Sequence, residues 1–215
     1  SRKRIKVVVL VNQLNQRFAQ NVNGGVKLAS GELILLLNND VKPQSNILKY
    51  LLPHFQKENM FAVGCLELEP NGVKGGKNKL WFERGMFHHA RASDFNSGPT
   101  AWVSGGSGLF ARDKWLELAG FDPDYAPAYW EDVDLSFRAR KKGWQVWFEP
   151  KAVVEHHHES TNLAEFGQKK IAQISWQNAQ QFVWKNGSLS QKLQHLLWQP
   201  WWWLKRTSSS ASSTV

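Results

Sequence analysis

Apolar residues in this chain fall in short runs set between polar, turn-rich stretches, with longer segments where they recur at helical spacing. Ile5–Val11 is largely β-branched and reads as a buried strand. Asn12–Asn15 is polar, and Gln16–Leu28 has a helical pattern closed by Ser30-Gly31. Glu32–Leu37 is a second short apolar run, cut off at Asn38-Asn39-Asp40. Pro43 then opens a helix in which Ile47, Leu48, Leu51, Leu52 and Phe55 share a face. Phe61–Leu66 reads as a third strand. Strand, helix, strand, helix, strand predicts an α/β fold with a mostly parallel sheet flanked by helices.

Further along, residues 70–100 are rich in Gly, Asn, Lys and His and show weak periodicity. A long excursion of this kind is expected to be a lid or binding loop. Ser104-Gly105-Gly106-Ser107-Gly108 lets backbone approach a ligand closely. Asp113–Ala119 is a short helix stopped by Gly120. The next helix opens on Glu131-Asp132-Val133-Asp134 and closes on Arg138, Arg140, Lys141 and Lys142 before Gly143, an order that matches the helix dipole. Strands follow at Trp144–Phe148 and Ala152–Glu155, ending at His156-His157-His158. The expected division is a core at 1–162, a helical Trp-rich extension at 163–206 and a disordered serine-rich tail at 207–215.

Composition narrows the classes. The apolar fraction of 42% fits a globular protein. The single cysteine, Cys65, sits in an apolar stretch, which excludes a disulfide scaffold and fits a reducing, cytoplasmic setting. No run reaches the roughly 18 apolar residues of a membrane span. The net charge of +9 suits phosphates, nucleic acid or anionic lipid, or is simply a solvated surface. No nucleic-acid-binding motif accompanies it, so a nucleic-acid partner is not expected. The Trp-rich, basic stretch 192–206 suits peripheral contact with a membrane interface, or a helix packed on the domain.

Three motifs can carry chemistry, each with an ordinary reading beside it. Asn38-Asn39-Asp40 ends a buried strand, where α/β sheets bind ligands and a carboxylate can hold Mg²⁺ or Mn²⁺. The same residues are common in turns. Glu131, Asp132 and Asp134 can complement the helix dipole, or one of them can be a general base, with Trp130 as an apolar wall that raises its pKa. His156–His158 is a surface cluster or a source of one metal ligand. No accompanying Cys pair or helical His pair supports a zinc site.

Taken in order, these motifs make the chain resemble family 2 glycosyltransferases of the GT-A fold, in the rhamnosyltransferase-like branch. The resembling segments are Phe18–Gly25 through Ala29–Glu32, Leu35–Asp40, Gly106–Arg112, Gly120–Asp122, Trp130–Arg138, and Gly143-Trp144 through His157. The resemblance implies an inverting enzyme that moves a sugar from a nucleotide-sugar to a glycan or lipid-linked acceptor in cell-surface polysaccharide synthesis. It implies Asp40 and His156 as metal ligands, with His157 as the fallback. Asp132 becomes the base and Glu131 the residue orienting hydroxyls, with the two roles exchangeable. Asn23, Gly25, Asn38 and Asn39 fall on the donor side, and Gly105, Gly106, Trp130 and Asp134 on the acceptor side. The family's front segment, which holds the nucleotide base, has no counterpart here, so a truncated chain in which a central strand lacks its neighbour is expected. A catalytically inactive sugar- or nucleotide-binding domain is the alternative reading. A metal-dependent hydrolase would call for a denser ligand set.

Overall fold

The computed structural model describes residues 6–156 and 161–211, the side chains of 161–164 and 206–211 excepted. The elements in order are α1 (Arg17–Leu28), β1 (Leu33–Leu37), β2 (Val41–Pro43), α2 (Ile47–Leu51, continued by a 3₁₀ turn), β3 (Met60–Leu68), β4 (Lys74–Gly75), β5 (Asn78–Glu83), β6 (Met86–Arg91), β7 (Gly98–Pro99), β8 (Ser107–Ala111), α3 (Arg112–Glu117), α4 (Glu131–Lys141), β9 (Gln145–His156), α5 (Thr161–Asn186) and α6 (Leu189–Ala211). The main sheet has the order β1-β8-β3-β9-β2, with β4 on β3 and β7 on β9. Strands β1, β3 and β9 run the same way. β8 runs against them between β1 and β3, so among these pairs only β3–β9 is parallel. The reversal of β8 was not legible in the sequence, because Ser104–Gly108 read as a flexible stretch.

Alternation along the strands feeds two cores, one on each face of the sheet. Ile34, Phe61 and Phe110 face Val26 of α1, Trp115 of α3 and Leu135 of α4. Val63, Cys65 and Leu109 face Ile47 and Leu51 of α2. The expected α/β fold flanked by helices is therefore present, and its apolar runs are the sheet core.

Four expectations need revising. Val7–Val11 forms no strand among the described residues and its side chains are exposed, because β propensity makes a strand only where another strand offers a hydrogen-bonding edge. The excursion at 70–100 is not a loose lid. It folds into the β5–β6 hairpin, whose Met86 and Phe87 pack with Phe182 and Val183 of α5 and Trp130 ahead of α4. The two strands expected at 144–155 are one strand, β9, with an irregularity opposite Cys65 and Leu66. Helix α6 runs to Ala211, into the segment expected to be a disordered tail, and residues 212–215 lie outside the described residues.

Candidate active site

Strand pairing brings the first and third motifs together. β2 pairs antiparallel with the end of β9 in the register Val41↔His156, which sets Asp40 beside His156. His156 Nε2 lies 3.5 Å from Asp40 Oδ2. The Asn38–Asp40 segment is a turn, closed by Val41 N donating to Asn38 O at 3.1 Å, so its ordinary reading as a turn is realised. Asn38 N donates to Gly106 O at 3.0 Å. The approach is close: a Cβ on Gly106 would meet Asn38 Nδ2 at 2.7 Å, so a larger residue there would have to displace the Asn38 amide.

The second motif arrives from the other side. Helix α4 starts at Glu131, and both Tyr129 and Trp130 ahead of it have positive φ, 75° and 79°. Two such non-glycine residues in a row are strained and must be held by their surroundings. Asn178 of α5 does the holding. Its Nδ2 donates to the carbonyls of Tyr125, Ala128 and Tyr129 at 2.9, 3.0 and 3.0 Å. The result is that Glu131 and Asp132 line the same cleft as Asn38, Asn39, Asp40 and His156, a space of about 530 Å³ whose walls include Gly105 and Gly106.

The electrostatics of the cleft are unusual for so many acids. Burial raises the carboxyl of Glu131 well above the usual range, and the negative charge of Asp132 adds to it. Asp132 is raised by its own removal from water, against backbone N–H groups of Val133 and Gly105 that favour its charged form. Val133 N donates to Asp132 Oδ1 at 2.8 Å. Glu131 Oε2 and Asp40 Oδ1 are buried with no hydrogen-bond partner among the described residues. Buried, unsatisfied oxygens are costly unless something binds there.

Glu67, near the end of β3, was missed by sequence reading. Its Oε2 lies 3.8 Å from His156 Nδ1, and Ser107 Oγ donates to its Oε1. Burial alone would raise the Glu67 carboxyl, but His156, Ser107 and Ser104 outweigh it and hold it below the usual range. In return the Glu67 carboxylate, helped by Asp40, holds the His156 imidazole above its usual range against burial. A lone glutamate inside an otherwise buried strand was the available signal. Arg17 also lines the cleft, its Nη1 2.8 Å from Glu165 Oε1.

Four expected residues lie elsewhere. Asn23 does not line the cleft. Its amide takes Phe121 N at 3.0 Å and gives to Phe121 O at 2.7 Å, which clamps α1 to the turn after α3. Gly25 is exposed on α1 with open space around it. Trp130 is buried behind the acids, against His89 and Phe182, with Nε1 3.3 Å from Ser175 Oγ, so it is not a wall of the cleft. Asp134 is buried and hydrogen-bonded to Tyr125, Arg138 and Asn186. His157, the fallback ligand, lies outside the described residues.

A carboxylate oxygen and an imidazole nitrogen on one buried edge suit a divalent cation such as Mn²⁺ or Mg²⁺. The unsatisfied Asp40 Oδ1 fits that occupant. Among the described residues no cluster of three or more His, Cys, Asp or Glu side chains forms a complete protein cage, so a bound ion would take further ligands from elsewhere.

The fold is the GT-A fold. It resembles GalNAc-T7 solved with UDP, GalNAc and Mn²⁺, with a TM-score of 0.55 and 14% identity over 68% of this chain and 31% of that one. It also resembles the mannosyltransferase PcManGT from Pyrobaculum calidifontis solved with GDP-Man and Mn²⁺, with a TM-score of 0.50 and 15% identity over 76% of this chain and 44% of that one. In sequence, residues 1–175 match the family described as glycosyltransferase like family 2, and the chain belongs to that family. An N-acetylglucosaminyl-diphospho-decaprenol L-rhamnosyltransferase of Mycobacterium tuberculosis is 42% identical over 59 residues, 27% of this chain and 19% of the relative. The O-antigen biosynthesis protein RfbC of Myxococcus xanthus is 27% identical over 158 residues, 66% of this chain and 12% of the relative. The chain thus spans under a fifth of the length of these curated relatives.

Proposed function

We propose that this chain carries the catalytic core of an inverting glycosyltransferase that moves a sugar from a nucleotide-sugar to a hydroxyl of a glycan or lipid-linked acceptor in cell-surface polysaccharide synthesis. One observation carries the reading. Asp40 after β1, Glu131-Asp132 at the start of α4 and His156 at the end of β9 line one cleft, although the sequence keeps them far apart. The named activities of the relatives, rhamnosyl transfer to a diphospho-decaprenol acceptor and O-antigen biosynthesis, point the same way.

In this reading Asp132 is the general base for the acceptor hydroxyl. Its raised pKa brings it nearer the operating pH, where a base is most effective. Glu131, with one unsatisfied oxygen, orients donor or acceptor hydroxyls. Asn38 and Asn39 offer amide groups to the donor, and Arg17 supplies a cation on the cleft wall for its phosphates. Asp40 and His156 would hold Mg²⁺ or Mn²⁺, which when bound offsets charge on a departing nucleoside diphosphate. One in-line displacement inverts the sugar centre and needs no covalent intermediate. Contact of residues 192–206 with a membrane would suit a lipid-linked acceptor.

The test is a screen of nucleotide-sugars with Mn²⁺ for release of nucleoside diphosphate, comparing the wild-type chain with Asp132→Asn. Turnover that is lost in the variant while donor binding persists supports the assignment. Full turnover in the variant removes Asp132 from the chemistry. Donor binding without turnover in the wild-type chain would favour an inactive sugar- or nucleotide-binding domain.

A further inference from the structure

Helix α6 is amphipathic, yet it turns its apolar face outward. At about 3.6 residues per turn, Leu189, Leu193, Leu196, Leu197, Pro200 and Leu204 fall on one side. All six are exposed, Leu189 and Leu197 at 77% and 79%. The opposite side is the one packed on the domain, through hydrogen bonds and through ring contacts of Trp202 with Trp176 and His88 and of His195 with Trp184. His195, 1% exposed, sits with Nδ1 2.8 Å from Gly85 O, and Gln199 Nε2 meets its Nε2 at 2.7 Å. Trp202 Nε1 donates to Arg84 O at 2.8 Å. Gly85, with φ +74°, lies so close that a Cβ would be 2.8 Å from His195 Cα. The hairpin turn between β5 and β6 therefore fixes which side of α6 faces inward. The leucines face water because of that docking.

The flanks of the leucine face are cationic. Lys192 borders one side. On the other, Trp201 has Arg84 Cζ at 5.1 Å and Lys205 Nζ at 4.9 Å from its ring centroid. Between Leu189 and Ala211 there is no acidic residue, on a chain of net charge +9. An apolar stripe edged by cations and tryptophan matches a bilayer surface that carries anionic headgroups. A second copy of the same face would instead set like charges together. Among the described residues no helix is long and apolar enough to cross a membrane, so the helix would lie along the surface.

We propose that the outward leucine face of α6 docks on an anionic lipid bilayer, with Leu193, Leu196 and Leu197 in the acyl boundary and Lys192 and the Arg84–Trp201–Lys205 group at the headgroups. This extends the membrane contact read into residues 192–206 and moves its apolar part from the tryptophans to the leucines. It does not rest on the transfer chemistry.

The experiment is co-sedimentation of the full chain with vesicles of phosphatidylcholine plus phosphatidylglycerol, and with phosphatidylcholine alone. The wild-type chain is expected to bind the anionic vesicles at least about tenfold more tightly, and more weakly as salt rises. Leu193→Glu/Leu197→Glu, both at exposed positions, is expected to keep the far-UV circular dichroism of the wild type and to lose about tenfold or more in binding. Lys192→Glu should lose less, and only on anionic vesicles. Wild-type chain left in the supernatant, or a leucine variant that binds as well as wild type, overturns the proposal. So does a dimer in sedimentation equilibrium that the leucine variant dissolves while vesicles go unbound. No donor is present in these measurements, so failure of the sugar-transfer reading would not alter them.

Discussion

Glu131, Asp132 and Asp134 stand within one turn of the same helix, yet they do opposite jobs. Asp134 is buried with Arg138 Nε at 2.7 Å, Asn186 Nδ2 at 2.7 Å and Tyr125 Oη at 3.2 Å. It ties α4 to α5 and to the turn before it. Glu131 and Asp132 face the cleft, raised in pKa by burial, and Glu131 keeps one oxygen unsatisfied. A satisfied buried acid is part of the scaffold, whereas an acid held out of water without full compensation is poised to bind or to move a proton. Proximity in sequence does not tell the two kinds apart; the partners of each oxygen do.

The largest expected effect that would sharpen this contrast is on chemistry. Asp132→Asn should lower turnover by roughly a hundred- to ten-thousand-fold with little change in thermal stability, measured by diphosphate release and by thermal melts. Asp134→Ala should do the reverse. Leaving Arg138 and Asn186 without their shared acceptor should cost about 2–3 kcal/mol in denaturant unfolding, with activity falling only as far as folded protein is lost. If Asp134→Ala were stable but inactive, the division between scaffold and site would be broken.

Asn178→Ala should come next. It frees three carbonyls beside the strained Tyr129-Trp130 pair, and a loss of about 1–3 kcal/mol is expected. Turnover of the folded fraction should drop about tenfold, with donor affinity changing less, because the acids shift while Asp40 and His156 do not.

The smallest effect concerns pH. Glu131 has a folded pKa above its unfolded one, so the folded state binds more protons between those two values. Its ionisation therefore removes stability as pH rises from the ordinary carboxylate range into the neutral range. Glu131→Gln should be more stable than wild type at neutral pH by roughly 1–2 kcal/mol, with the gain vanishing in acid below the ordinary carboxylate pKa. Activity runs the other way. Under the proposed mechanism Asp132 works deprotonated and the His156 imidazole neutral, and both groups are raised, so kcat/KM should fall on acidification sooner than an ordinary carboxylate would dictate. A profile flat down to the ordinary carboxylate range would contradict the burial of the pair.

Much of this was readable from sequence because it depends on local pattern. The strands at Leu33–Leu37 and Met60–Leu68 and the helix at Glu131–Lys141 follow from runs, periodicity and charge order, each a matter of a few neighbouring residues. The resemblance pointed to Asp40, Glu131, Asp132 and His156, and all four line one cleft. Whatever depended on distant partners was not readable. Val7–Val11 has the composition of a strand but forms none, because a strand is made by its neighbour. Asn23, placed on the donor side by the resemblance, turned out to clamp Phe121, and Asn178 was only a polar residue on a helix until the carbonyls of Tyr125, Ala128 and Tyr129 came within reach. Glu67 became part of the site only when β9 delivered His156 beside it. Sequence by itself determined the helices and those strands whose pattern is local, and which residue types could do chemistry. Tertiary structure alone decided which oxygens are satisfied, which carboxyls are kept from water and which face of α6 looks out, because burial and hydrogen-bond partnership are properties of the packed chain.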